Sequence, residues 1–183
     1  MAQEREHVIP GDDRFEALYV RHFGDVLAYA LRRAPPAVAQ DVAADTFLIA
    51  WRRLDDVPDR ALPWLLAVAR KSLANQRRSL RRQRLLAERL AAEPQIDSPA
   101  HALDGPSILA ALARLPERDR ETLMLAAWEE LDSRQAGKVL GCSPTAYRLR
   151  LHRARRKLER ALQEVENGDT KTLVPDARLE ERC

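Results

Sequence analysis

From Tyr147 to Leu158 the chain reads YRLRLHRARRKL, with arginine at 148, 150, 153, 155 and 156. Guanidinium groups stay charged near neutral pH, so they do not trade protons with a substrate. Their forked N–H donors instead suit polyanions, fitting phosphate oxygens and the O6/N7 edge of guanine. If the stretch is helical, steps of three and four put Tyr147, Leu151, Ala154, Leu158 and Leu162 on one apolar face. Arg148, His152, Arg155, Arg156 and Glu159 then lie largely opposite, with Arg150 and Arg153 on the flanks. Residues early in such a helix reach base edges, and later ones hold phosphates. Arg148, Leu149, His152 and Arg153 are therefore candidates for base reading, and Arg155, Arg156 and Arg160 for phosphate clamping. The plain alternative is a solvated basic face, with Arg150 tied to Glu121 or Glu129 inside its own domain.

The residues just before this helix set how it starts. Ser133 suits the N-cap of a short helix over about Arg134–Leu140, and Gly141 can take the left-handed conformation that stops it. Ser143 then caps the next helix, whose first position is Pro144. A short helix, a glycine-containing turn and a longer capped helix make the helix-turn-helix pattern.

A second group of chemistry-bearing residues lies in the other half of the chain. Arg70, Lys71, Asn75, Arg77, Arg78, Arg81 and Arg82 crowd a helix that begins near Pro63. They cannot all face one way, but they can follow a phosphate backbone. The amide of Asn75 can read a base edge. Upstream, Asp41 and Asp45 are four apart and share a helical face, which Arg52 roughly continues. That acidic pair either meets a basic partner or only favours the start of its helix. Phe47 and Trp51, also four apart, read as core. Trp64 could stack on an unpaired base, but within W-L-x-x-V-A-R it reads as core too.

Composition predicts an all-α fold. Hydrophobic residues make up 45% of the 183, enough for a core, and glycine is scarce beside Ala, Leu, Arg and Glu. A loose arm (1–12) precedes one helical block (13–90). In it Phe15, Leu18, Tyr19, Phe23, Val26, Leu27, Ala30 and Leu31 form the stripe of a first helix. The proline pair at 35–36 separates that helix from a second over about 37–54, and a loop (55–63) follows. A proline-rich, acidic segment (91–107) reads as a flexible linker. The second block (108–164) has helices over 108–115, 118–131 and 133–141 before the basic helix, and a polar tail (165–183) ends the chain. The result is two small helical domains on a tether. Cys142 and Cys183 form no disulfide framework, and the histidines at 7, 22, 101 and 152 have no metal-ligand spacing. No phosphate loop or nucleophile motif occurs, so neither cofactor nor enzymatic activity is expected. The polar start and the lack of a long apolar run predict a cytoplasmic protein without a membrane span.

The stretch ALARLPERDRETLMLAAWEELDSRQAGKVLGCSPTAYRLRLHRARRKLERAL resembles the fourth domain of bacterial RNA polymerase sigma factors of the extracytoplasmic-function (ECF) group. The likeness is carried by LP-x-R-x-R-E, the L-G-C-S turn and the R-x-R-L-x-R-A-R run. FEALYVRHFGDVLAYALRR, QDVAADTFLIAWRRL and WLLAVARKSLANQRRSLRR resemble, in order, the helices of the second sigma domain. Together the match spans about 13–163. The resemblance implies that the protein binds core RNA polymerase, with Asp41, Asp45 and Arg52 on the clamp of the largest subunit and the fourth domain on the flap of the second-largest. It implies reading of a −35 promoter element by Arg148, Leu149, His152, Arg153, Arg155 and Arg156. It implies recognition and melting of a −10 element by Arg70, Lys71, Asn75, Arg77, Arg78 and Arg81. Ala44 stands where the family usually has glutamine, Gly137 where alanine is usual, and Leu149 where a small polar residue is usual. Leucine cannot donate a hydrogen bond but can touch a thymine methyl. The sequence leaves open an ordinary helix-turn-helix regulator, a sigma-like protein that does not melt DNA, and an anti-sigma partner.

Overall fold

A computed structural model describes residues 12–90 and 107–172. The arm, most of the linker, the end of the tail, His7, His101 and Cys183 lie outside the described residues. Among those described are seven α-helices, one 3-10 turn and no strand. The chain divides into two compact units. One contains the three N-terminal helices and Arg134–Ser143; the other contains the remaining helices of the C-terminal half.

In the first unit, α1 (Asp12–Leu31), α2 (Pro36–Arg52) and α3 (Leu62–Leu90) pack pairwise. Pro36 opens α2 at a position where its missing N–H has no helical partner to lose. Val26, Tyr29 and Ala30 of α1 meet Ala39, Val42, Ala43, Phe47 and Ala50 of α2 and Leu65, Leu66, Ala69 and Leu73 of α3 in the core. The Phe47 ring is a hub. Tyr19 lies edge-on to it at 4.9 Å, with Phe15 and Phe23 at 6.4 and 6.0 Å. Buried Thr46 satisfies its hydroxyl on the Val42 carbonyl at 2.7 Å. Trp51 corrects the expectation of core: it is 42% exposed, with the Phe15 ring edge-on to it at 4.9 Å. Its place near the end of α2 leaves it no further turn to pack under. Phe47 is core as expected.

Between α2 and α3 the chain makes a 3-10 turn at Leu54–Asp56. Arg14 ties the following residues to α1 by donating to the Val57 carbonyl at 2.8 Å. Among the described side chains of α3, the core residues all precede Ala74, and from Ala74 to Leu85 the helix is exposed apart from the half-buried Gln76 and Ser79. The second half of α3 is thus a basic arm outside the core.

In the second unit, α4 (Ser107–Arg114) and α5 (Glu117–Ala127) pack on α7 (Pro144–Thr172). Ala111, Leu112, Leu115, Leu123, Ala154, Ala161 and Val165 form its core, with Leu151, Leu158 and Leu162 packed against it. Glu117 and Asp119 in the first turn of α5 suit its positive end. The α5 helix stops at Ala127, short of the expected 131. Glu130 adopts a left-handed φ of 50° and the Leu131 N–H turns back to the Leu125 carbonyl. In the opposite sense α7 runs past the expected end of its domain to Thr172. Val165 is buried in the core, which anchors the helix there, and no proline occurs between Pro144 and Pro175.

Candidate nucleic-acid interface

The start of α7 is fixed by the turn before it. The helix α6 (Ser133–Leu140) ends at Gly141, whose φ is +67°. The Cys142 N–H bonds to the Gly137 carbonyl at 2.9 Å and the Gly141 N–H to that of Lys138 at 3.3 Å. This is a Schellman closure, and it needs a left-handed residue where Gly141 stands. Pro144 then opens α7 with φ already set for a helix. Inside, Tyr147 holds the first turns down. It is 1% exposed, and its hydroxyl donates to the Thr122 carbonyl of α5 at 3.2 Å.

With the apolar face of α7 buried, its other faces are open. Arg148, Leu149, Arg150, His152, Arg153, Arg155, Arg156 and Arg160 are all exposed. At about 100° per residue, Leu149, His152, Arg153 and Arg156 cluster on the strip opposite the core, and Arg148 and Arg155 lie to one side. Arg153 thus belongs to the outward strip rather than to a flank. The Arg148 Nη2 lies 3.4 Å from the Thr145 hydroxyl, one turn back. Lys157 is drawn away to an ion pair with Asp119 of α5.

The basic residues of α3 separate into two strips. Lys71, Asn75, Arg78 and Arg82 follow one another at steps of four, three and four along one flank, while Arg70, Arg77 and Arg81 lie along the other. The six residues expected to act together are therefore not brought onto one face. The Arg78 Nη2 donates to Asn75 Oδ1 at 2.6 Å. Because guanidinium only donates, this engages the Asn75 Oδ1 and leaves its NH2 as the group of the amide that can donate to a base acceptor. Arg77 is used differently: its Nη2 donates to the Arg33 carbonyl at 3.1 Å, just past the end of α1. Arg33 in turn lies over the Tyr29 ring, 3.6 Å from its centroid, and donates to the Tyr29 carbonyl at 2.9 Å. The sequence gives no direct sign of this chain of contacts; Tyr29 is missing from the expected apolar stripe although it stands three residues beyond Val26, on the same side of α1. Trp64 is half-buried at the start of α3.

On α2, Asp41, Asp45, Leu48 and Arg52 are exposed and step by four, three and four along the face opposite the core. Asp41 lies in the second turn and Asp45 further along, so the helix start does not account for both.

Comparison with known proteins bears on each half. Residues 18–83 match the model of Sigma-70 region 2, and residues 106–158 that of Sigma-70, region 4. The ECF RNA polymerase sigma factor SigL of Mycobacterium tuberculosis is 32% identical over 157 residues, covering 81% of this chain and 89% of SigL. The structure of CnrH in complex with the cytosolic domain of CnrY is similar at 31% identity and a TM-score of 0.57, over 82% of this chain and 88% of that one. The fold is also that of the sigma factor RpoE from Bartonella quintana, solved with the anti-sigma factor NepR. There the identity is 23% and the TM-score 0.63, over 81% of this chain and 96% of RpoE.

Proposed function

The chain belongs to the ECF group of RNA polymerase sigma factors, and from that premise we propose how its residues divide the work of a promoter-specificity subunit. The exposed acidic face of α2, with Asp41, Asp45 and Arg52, docks on the clamp of core polymerase, and the C-terminal unit on the flap. The N-terminal half of α7 enters the major groove of the −35 element. There Arg148, Leu149, His152 and Arg153 meet base edges, while Arg155 and Arg156 hold phosphates. On α3, Lys71, Asn75 and Arg78 face the −10 DNA, where the outward amide of Asn75 donates to a base acceptor. Arg70 and Arg81 serve the other flank, and Arg77 braces the arm while lending its charge. The polymerase supplies the catalytic chemistry, and the protein works in the cytoplasm beside the chromosome. The CnrH relative is held by a second protein, the cytosolic domain of CnrY, which supports an anti-sigma partner of that kind here.

One observation carries the DNA reading. A helix anchored by Tyr147 presents a run of exposed arginines, interrupted at Leu149, directly after a closed turn. The test is run-off transcription with core polymerase, this protein and fragmented DNA from its source genome, followed by sequencing of transcript starts. Discrete starts that depend on the protein are expected. Core binding without new starts would replace this reading with a polymerase-binding regulator, and DNA binding without core binding with an ordinary repressor or activator.

Two further outcomes follow from the same surface. Arg148→Ala weakens promoter binding by about 1–3 kcal/mol and relaxes base choice at one position of the −35 element, if it forks onto a guanine. Unchanged footprints and unchanged selected sequences would refute that role. Holoenzyme affinity for promoter DNA also falls steeply with salt, and each phosphate-holding arginine removed flattens the log–log slope by roughly one. A titration in which Arg155→Ala and Arg156→Ala leave the slope unaltered would rule out phosphate clamping by these residues.

A further inference from the structure

We infer that Leu149 reads a thymine in the −35 element, its isobutyl group meeting the C5-methyl of that base; this rests on the assignment of α7 to the major groove. Leu149 is 50% exposed. Helical geometry puts it about 170° from the centre of the apolar face, as far from the core as a residue of α7 can be. Packing therefore does not account for it. A single exposed leucine is ordinary on protein surfaces, so exposure alone assigns nothing. Its neighbours do. Thr145, His152, Arg153 and Arg156 lie within two turns on the same outward strip, and all four are exposed. No second large apolar residue of α7 is exposed beside it, so the strip offers a protein partner no apolar patch to bury. A polyanion fits the strip, and within it Leu149 can meet only something apolar. In the major groove the apolar handle on a base edge is the thymine methyl. The leucine also stands between Arg148 and Arg153, both proposed to contact bases and both earlier in the helix than the phosphate-holding Arg155 and Arg156, where a base edge comes within reach.

The test uses full-length protein assembled with core polymerase and promoter fragments recovered by run-off. Each thymine of the −35 element is replaced in turn by deoxyuridine, which removes the methyl and keeps base pairing. Competition binding is expected to weaken about fourfold at one position, the effect of losing one buried methyl, and to change little elsewhere. Leu149→Ala should bind the thymine promoter about as weakly as the parent protein binds the uracil one, and should not distinguish the two. Leu149→Met, which keeps an apolar tip, should retain the distinction. Because the side chain is far from the core, both variants should melt like the parent. A flat deoxyuridine scan, an upstream element without thymine, or discrimination that survives in Leu149→Ala overturns the inference while leaving α7 as a DNA-binding helix. Absence of any −35 protection by the parent holoenzyme overturns the assignment of α7 itself.

Discussion

Tyr147→Ala is expected to unfold the C-terminal unit and abolish protection of the −35 element while core polymerase still binds through α2. The ring is 1% exposed and lies between the first turns of α7 and the middle of α5, where its hydroxyl reaches the Thr122 carbonyl. Cutting a buried aromatic back to alanine costs about 3–5 kcal/mol, part transfer and part cavity. Small domains hold little more than that in total. The neighbouring core cannot fill the gap easily, since Thr122 is itself buried and its hydroxyl is committed to the Arg118 carbonyl at 2.7 Å. Tyr147→Phe separates the contributions: it keeps the ring and loses one hydrogen bond, at roughly 1 kcal/mol. Urea unfolding followed by circular dichroism, together with footprinting of the holoenzyme, reads both effects. An alanine variant that unfolds at the parent's midpoint would show that the recognition helix is anchored elsewhere.

The second large effect concerns α2. Reversing Asp41 and Asp45 to lysine together should weaken holoenzyme assembly by on the order of a hundredfold or more, because like charges brought face to face at an interface cost several kcal/mol. Both side chains are exposed on the face opposite the core, so the fold and its melting temperature should be unaffected. Glu16→Lys combined with Asp59→Lys, both exposed and away from that face, changes the net charge by the same amount and provides the control. Gel filtration of the double variant with core polymerase gives the answer. Normal assembly would mean that the acidic pair serves the helix alone.

Punctuation made much of the architecture legible in advance. Pro36, Pro63, Gly141 and Pro144 each act through a fixed φ, a missing N–H or a left-handed conformation, and those are properties of a single residue. The buried face of α7 was legible for a related reason, as a long helix repeats its period many times. What stayed hidden depended on which contacts form in the folded chain, some between residues one turn apart and some between residues far apart in sequence. Glu130 ends α5 in a conformation that its type does not announce. Tyr29 is fully buried with the Arg33 guanidinium over its ring, and Trp51, near the end of α2, is exposed. Within the candidate interface, residue types pointed to the arginines and to Asn75. Only the folded chain reveals that Arg78 engages the Asn75 amide and that Arg77 is tied to the end of α1, whereas the two strips of α3 follow from spacing once the helix is known to run unbroken.

The arm of α3 beyond Leu73 has a consequence for how such a protein changes over generations. Its outward residues contribute almost nothing to the core, so most substitutions there alter stability by less than about 0.5 kcal/mol. Selection can therefore try new side chains against new promoters at little risk to folding. Arg77 is the exception, because its bond to the Arg33 carbonyl serves the fold as well. Asn75, Arg78, Arg81 and Arg82 form a nearly free alphabet on a fixed stem, so a duplicated copy of this gene could acquire a new set of target promoters before its scaffold had changed.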